Sequence, residues 1–226
     1  TAAKAAALGG IVIDAVFDVT LRDTGDAIAA LAPEKFARLT TNGVDYIDSS
    51  TGTLTLSADQ YKNLGSVRLT LADTVTLRYE ATDLGNLLPG DIRAFADKGI
   101  DKIEVLNGPL YWSVQQAKAL DSSVTFVGTQ EAHIRDTGSM ISDMTVDEIA
   151  RMVRVGLKAM DVTSGDITLT ADKAKALGAI KIDSTGAVTL ADSGSTIASL
   201  TLTELSKLSA NGVKTIDATG ASPCLL

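Results

Sequence analysis

Four leucines, Leu8, Leu64, Leu120 and Leu177, each close a short Ala/Lys-rich stretch and stand 56, 56 and 57 residues apart. Four glycines, Gly43, Gly99, Gly156 and Gly212, each precede a short apolar run, at spacings of 56, 57 and 56. Two independent anchors that hold one period over four copies restrict the fold more than composition does. A unit of this length cannot bury its apolar face alone and becomes stable when neighbours stack on it.

The columns of the repeat give the core. Fifteen residues before each anchor glycine stand Ile28, Leu84, Ile141 and Ile197; seven before stand Phe36, Ile92, Ile149 and Leu205. Four before come Leu39, Phe95, Met152 and Leu208, and four after come Ile47, Ile103, Met160 and Ile216. Size class is kept while identity varies, as stacked layers require. Hydrophobic residues make up 45% of the chain but aromatics only 4%, so Ala, Val, Ile and Leu must fill these layers.

Each period reads as two helix-then-strand units. The first helix is Thr170–Leu177 and its copies Thr1–Leu8, Ser57–Leu64 and Ser113–Leu120, each opened by a Ser or Thr N-cap. The second opens on a capping box at Thr145–Glu148 and Thr201–Glu204, or on Pro33 and Pro89 where a missing N–H costs little. Alternating strands follow, such as Ile167–Leu169, Ile180–Ile182, Val188–Leu190 and Val213–Ile216. Strands that alternate with helices predict parallel pairing and right-handed crossovers. The expected fold is an α/β solenoid of four repeats of 56–57 residues, two coils each, forming a single segment over residues 1–226. Eight coils at about 4.8 Å make a rod core on the order of 40 Å long. Thr1 aligns inside a repeat and no polar end cap is evident, so the expectation is a segment of a longer array.

Charge and motifs remove several functions. With 20 Lys+Arg against 28 Asp+Glu the net charge is −8, which argues against nucleic acid as a partner. The single Cys224 forms no intramolecular disulfide, and no Cys/His cluster suits zinc. No apolar run approaches the roughly 20 residues of a membrane span. No P-loop, GxSxG or GxGxxG stands in a strand–turn–helix context. The chain reads as no enzyme, with no catalytic residue assigned.

Three sets of residues invite a chemical reading. Asp23-Thr24-Gly25, Asp136-Thr137-Gly138 and Asp192-Ser193-Gly194 resemble the paired turns of aspartic proteases, in which two carboxylates share a proton. Here the copies recur with the repeat, two coils or about 10 Å apart at the closest, too far to share a proton. They are read as turns, and the second repeat has Tyr79-Glu80-Ala81 instead. An acidic ladder, Asp48, Glu104, Asp161 and Asp217, lies five residues after each anchor glycine, with Asp14 and Asp183 ending strands of the other unit. Such carboxylates either accept hydrogen bonds from their own turns or hold calcium between turns. No other cofactor is expected. Finally, His133 fills an outward slot that holds Thr20, Thr76 and Thr189 elsewhere. Tyr111 takes the outward place of Thr55 and Thr168, beside Trp112 in an inward column. Tyr111 and His133 mark a candidate binding patch on the third repeat.

The segments Ile167–Gly178 and Leu200–Gly220, with their counterparts, resemble the repeats of large secreted or surface-exposed bacterial proteins described as calcium-binding or adhesin-like. That resemblance covers nearly the whole chain. It implies a secreted or cell-surface location and a structural or adhesive role, with neighbouring repeats or surface ligands as partners. A leucine-rich-repeat-like solenoid is the nearest general comparison, although the glycine-rich calcium nonapeptide and the LxxLxLxxN signature are both absent. The alternative expectation is a recognition solenoid that binds a peptide or glycan on one sheet face. A spacer keeps uniform Thr, Ser and Lys on its outward rows, whereas a binder concentrates aromatics and charge on one face.

Overall fold

A computed structural model describes residues 1–219; Cys224 lies outside them. The first repeat contains α1 (Ala2–Ala7), β1 (Thr20–Asp23), α2 (Gly25–Ala29), α3 (Pro33–Thr41), β2 (Tyr46–Ser49) and β3 (Thr53–Ser57). The second adds α4 (Ala58–Lys62), β4 (Arg68–Leu69), β5 (Thr74–Glu80), α5 (Ala81–Gly85), α6 (Pro89–Asp97), β6 (Lys102–Leu106) and β7 (Leu110–Trp112). The third adds α7 (Val114–Ala119), β8 (Thr125–Val127), β9 (Ala132–Asp136), α8 (Gly138–Ser142), α9 (Val146–Val155), β10 (Ala159–Val162) and β11 (Ile167–Leu169). The fourth adds α10 (Ala171–Ala176), β12 (Lys181–Asp183), β13 (Val188–Ser193), α11 (Gly194–Ala198), α12 (Leu202–Ala210) and β14 (Thr215–Thr219).

The fold is mixed α/β and every strand pairing is parallel. Among the described residues the strands divide into four sheets, in the orders β1-β2-β4, β3-β5-β6-β8, β7-β9-β10-β12 and β11-β13-β14. The chain forms two compact units. Among the described residues, one comprises 1–108 and 123–130 and holds the first two sheets; the other comprises 109–122 and 131–219 and holds the last two. Within each unit the coils supply strands to both sheets in turn: β2 runs on to β3 and β4 to β5 in the first, β10 to β11 and β12 to β13 in the second. Ladder partners alternate in sequence offset between coils, 26 residues for Thr20 and Tyr46 and 22 for Tyr46 and Arg68.

The core columns are buried through the first three repeats, but in the last Leu205 is half-buried and Ile216 is 42% exposed. Ile28, Leu84, Ile141 and Ile197 are all 0% exposed, as are Phe36, Ile92 and Ile149. Trp112 is also fully buried, between strands whose other inward residues are Leu110, Ile134 and Met160. Alternation does the sorting: in β3 the pattern Thr-Leu-Thr-Leu-Ser puts Leu54 and Leu56 inside and their neighbours outside. Helix α9 ends where Gly156 takes φ +97°, the left-handed conformation that a side chain resists; the other three anchor glycines also have positive φ.

One element type escapes a sequence reading. The Asp-Thr/Ser-Gly tripeptides do not form simple turns; each opens a five-residue helix, α2, α8 or α11, with Thr24, Thr137 or Ser193 as N-cap. The glycine is needed there because a Cβ on Gly138 would lie 2.2 Å from the Asp166 carbonyl oxygen. In Gly25 it would lie 2.1 Å from that of Thr53.

Side chains from the next coil close the helix ends. Asn42, 2% exposed, donates from Nδ2 to the Gly9 and Ile11 carbonyls, while its own carbonyl accepts from Ile13. Asn211 repeats this on Gly178, Ile180 and Ile182. Lys98 donates to the Gly65 carbonyl from the same column. Gln60 reaches the Ala29 and Leu31 carbonyls, and Arg151 those of Lys118 and Leu120. Replacing Asn42 by Ala strands two part-buried carbonyls and is expected to cost about 1–3 kcal/mol, read as a lower urea midpoint at unchanged slope. Asn42→Lys, which borrows the solution used at Lys98, is expected to recover part of that loss.

Candidate functional site

The in-register strands turn single outward residues into rows. The second sheet presents Thr55, Thr76, Lys102 and Thr125 side by side. The fourth presents Thr168, Thr189 and Thr215. The first and third depart from this: the first reads Thr20, Tyr46 and Arg68, and the third reads Tyr111, His133, Ala159 and Lys181, with Arg135, Asp161 and Asp183 in the next row on the same face. Both Tyr111 and His133 therefore stand on adjacent strands β7 and β9, where their columns place them.

These side chains engage one another closely. The Tyr111 and His133 rings meet edge to face, with centroids 5.4 Å apart and planes at 88°. The Arg135 guanidinium carbon lies 3.5 Å from the Tyr111 ring centroid, a stacked cation–π contact. Asp161 Oδ2 sits 3.1 Å from His133 Nδ1 and 3.6 Å from Arg135 Nη2. The other imidazole nitrogen, Nε2, is 3.1 Å from Glu131 Oε2. A neutral imidazole carries one N–H, so both carboxylate contacts become donor bonds only in the imidazolium. The His133 side chain is 14% exposed and Arg135 is 48% exposed, so the imidazole is largely enclosed while the guanidinium faces solvent. Together with Val162, Thr163, Asp183 and Thr185 they line an open groove of about 370 Å³.

The acidic ladder finds its counter-charges within the sheets. Arg22, Arg78 and Arg135 lie in register opposite Asp48, Glu104 and Asp161. Arg22 Nε is 3.1 Å from Asp48 and Arg78 Nε is 2.9 Å from Glu104. Asp217 faces Ala191 instead. Among the described residues no three His, Cys, Asp or Glu side chains converge as a metal cage. The arginine column has the same period as the acids, so it was present in the sequence; what ties the two is the strand register.

The aspartates of the tripeptides cap helices. Asp23, Asp136 and Asp192 accept from the first amide of the helix one coil earlier, at Ala2, Val114 and Ala171, and from the residue that follows each. The hydrogen bonds from Ala2 and Thr24 hold the Asp23 carboxyl below its usual range, and those from Ala171 and Ser193 do the same for Asp192. In the second repeat the slot holds Tyr79, which lies under the Lys62 ammonium at 5.4 Å. There Tyr61 and Phe95 meet edge to face at 5.3 Å, a helix-side aromatic cluster that column reading did not single out. Burial pushes the Tyr61 hydroxyl upward.

No family profile and no curated protein matches the chain. Among solved structures, it is similar to a leucine-rich repeat-containing protein, LegL7 from Legionella pneumophila, at 12% identity and a TM-score of 0.25. The alignment covers 89% of this chain and 83% of that one. Among the described residues, no helix is long and apolar enough to cross a membrane.

Thermal unfolding at neutral pH is expected to give the same melting temperature in calcium and in chelator, because arginines already offset three of the ladder carboxylates. Acid acts differently. Asp23 and Asp192 titrate below their unfolded value of 3.8, so their contribution is present above that pH and is lost as pH falls through their folded values. Stability is therefore expected to drop below about pH 4; an upward shift of melting temperature with calcium overturns the arginine assignment.

Proposed function

We propose that the chain is a non-enzymatic recognition segment of an α/β solenoid, in which threonine-faced coils act as scaffold and the third sheet holds a ligand. The observation that carries this reading is the replacement of threonines by Tyr111 and His133, clustered with Arg135 and Asp161 of the next row on one exposed sheet face. Aromatic and arginine side chains fixed in place are the usual anchors of recognition surfaces. The groove volume of about 370 Å³ falls within the range of small-ligand sites.

The solenoid reading is supported by the coil connectivity inside each unit, by the four-fold period and by uniformly parallel pairing. The non-enzymatic reading is supported by the aspartates of the three tripeptides, each committed to helix capping. The setting we propose is the outside of a bacterial cell, with an adhesive role. What supports it is the resemblance of Ile167–Gly178 and Leu200–Gly220 to secreted and surface repeats, together with the acidic balance and the lone cysteine.

The test is a mixed peptide and glycan array probed with the full chain and with a variant whose third-sheet row is restored to threonine, Tyr111→Thr/His133→Thr. The restored variant is expected to keep its melting temperature and to lose at least about thirtyfold in affinity for whatever the parent binds. Equal binding by both proteins, or binding by neither, removes the recognition reading and leaves a spacer. Solution scattering on the same samples is expected to show an elongated particle; a near-spherical one overturns the solenoid.

A further inference from the structure

We propose that the groove on the third sheet takes an uncharged saccharide of about disaccharide size, an inference that rests on the recognition reading above. Its walls carry opposite charges. On one side the Arg135 guanidinium is laid against the Tyr111 ring at 3.5 Å, which fixes the plane of its five donors. On the other stands Asp183, in register beside Asp161 on β12 and, among the described residues, without an ion pair or hydrogen bond of its carboxylate. The Thr163 and Thr185 hydroxyls complete the rim. Arg135 and Asp183 are two ladder steps apart, roughly 10 Å, which a single hydrogen-bonding group does not span.

The chemistry of this arrangement selects among ligands. A cation meets the Arg135 guanidinium, and an anion meets the Asp183 carboxylate, so either charge faces one like charge. Asp161 lies 3.1 Å from His133 Nδ1 and 3.6 Å from Arg135 Nη2, and Glu131 lies 3.1 Å from His133 Nε2, so both carboxylates already have partners inside the cluster. A sugar hydroxyl both donates and accepts, so one ring can give a hydrogen to Asp183 while another takes hydrogens from Arg135 and the threonines. The Tyr111 edge and Val162 supply the small apolar surface that a ring's carbon face needs. An extended peptide is less suited: inside this sheet β9 and β10 have neighbours on both sides, so their backbone groups are spent on the ladder. His133 acts here as a positioning residue, since its contacts with Tyr111, Glu131 and Asp161 fix the floor on which Arg135 rests.

Nitrogen-15-labelled full chain titrated with three probes separates the possibilities: neutral hexasaccharides of gluco, manno and galacto type, hexagalacturonate, and a Lys/Arg-rich octapeptide. The expected result is saturable movement of the Tyr111, Thr163 and Thr185 amides by a neutral hexasaccharide, weakened at least tenfold by Asp183→Ala. Asp183 is exposed, so that variant is expected to keep the parent's melting temperature. Arg135→Leu provides a second, independent loss. Movement of those amides by the peptide or the uronate alone overturns the saccharide assignment and leaves the recognition reading standing. Neutral-sugar binding that ignores both substitutions overturns the assignment as well. Silence with every probe removes both readings.

Discussion

A helix of six residues has almost no interior. The first four amides and last four carbonyls of any helix lack partners inside it, so α1, α7 and α10 are made nearly of orphan groups. The fold depends on how those groups are met. Their own Thr or Ser caps supply one acceptor each, at Thr1, Ser113 and Thr170. The following coil supplies more: an aspartate for the first amide, Lys35 for the Ala6 carbonyl of α1, Arg151 for the Lys118 carbonyl of α7, and side-chain donors for carbonyls just past the helix ends. The partners for Gly9, Gly65, Lys118 and Gly178 all lie 33 residues ahead, at Asn42, Lys98, Arg151 and Asn211. Apolar columns bring coils together, and these side chains fix their spacing and rotation.

Much of this was legible because it is periodic. The core columns, the helix starts, the capping boxes at Thr145 and Thr201 and the parallel pairing all follow from residues that recur at 56 or 57 positions. What escaped depends on the offset between coils, which a column does not reveal. Arg22 and Asp48 each stand in a periodic column, yet their pairing rests on a 26-residue register set by the crossover. The five-residue helices α2, α8 and α11 are also too short to express a 3.6-residue pattern, so their tripeptides read as turns. At the candidate site the same division holds. Tyr111 and His133 were visible as outward departures from threonine, whereas Arg135 and Asp161 joined them only through strand pairing.

The separation of inward and outward columns explains how one sheet can differ from the others without disturbing the fold. Leu110, Trp112, Ile134 and Met160 keep the third sheet's core closed, and its ladder is parallel like the rest. The outward side chains bear little of the packing, so a Tyr and a His can replace threonines at small cost. Charge follows a similar rule. Several of the carboxylates behind the net −8 are spent in register, against arginines or on helix amides, whereas among the described residues Asp183 and Asp217 are not.

Tyr79 has a consequence for cooperativity. In an array whose stability is a sum of coil and nearest-neighbour terms, each carboxylate cap is one of the couplings that make adjacent coils melt together. The second repeat gives up that carboxylate for a buried phenol, and the N-cap that follows it, Glu80, makes no side-chain cap bond to α5. Coupling across α4 therefore leans on its own capping box and on Gln60. The chain thus has a built-in seam, set by a single column, at which one cooperative block of coils can give way to the next.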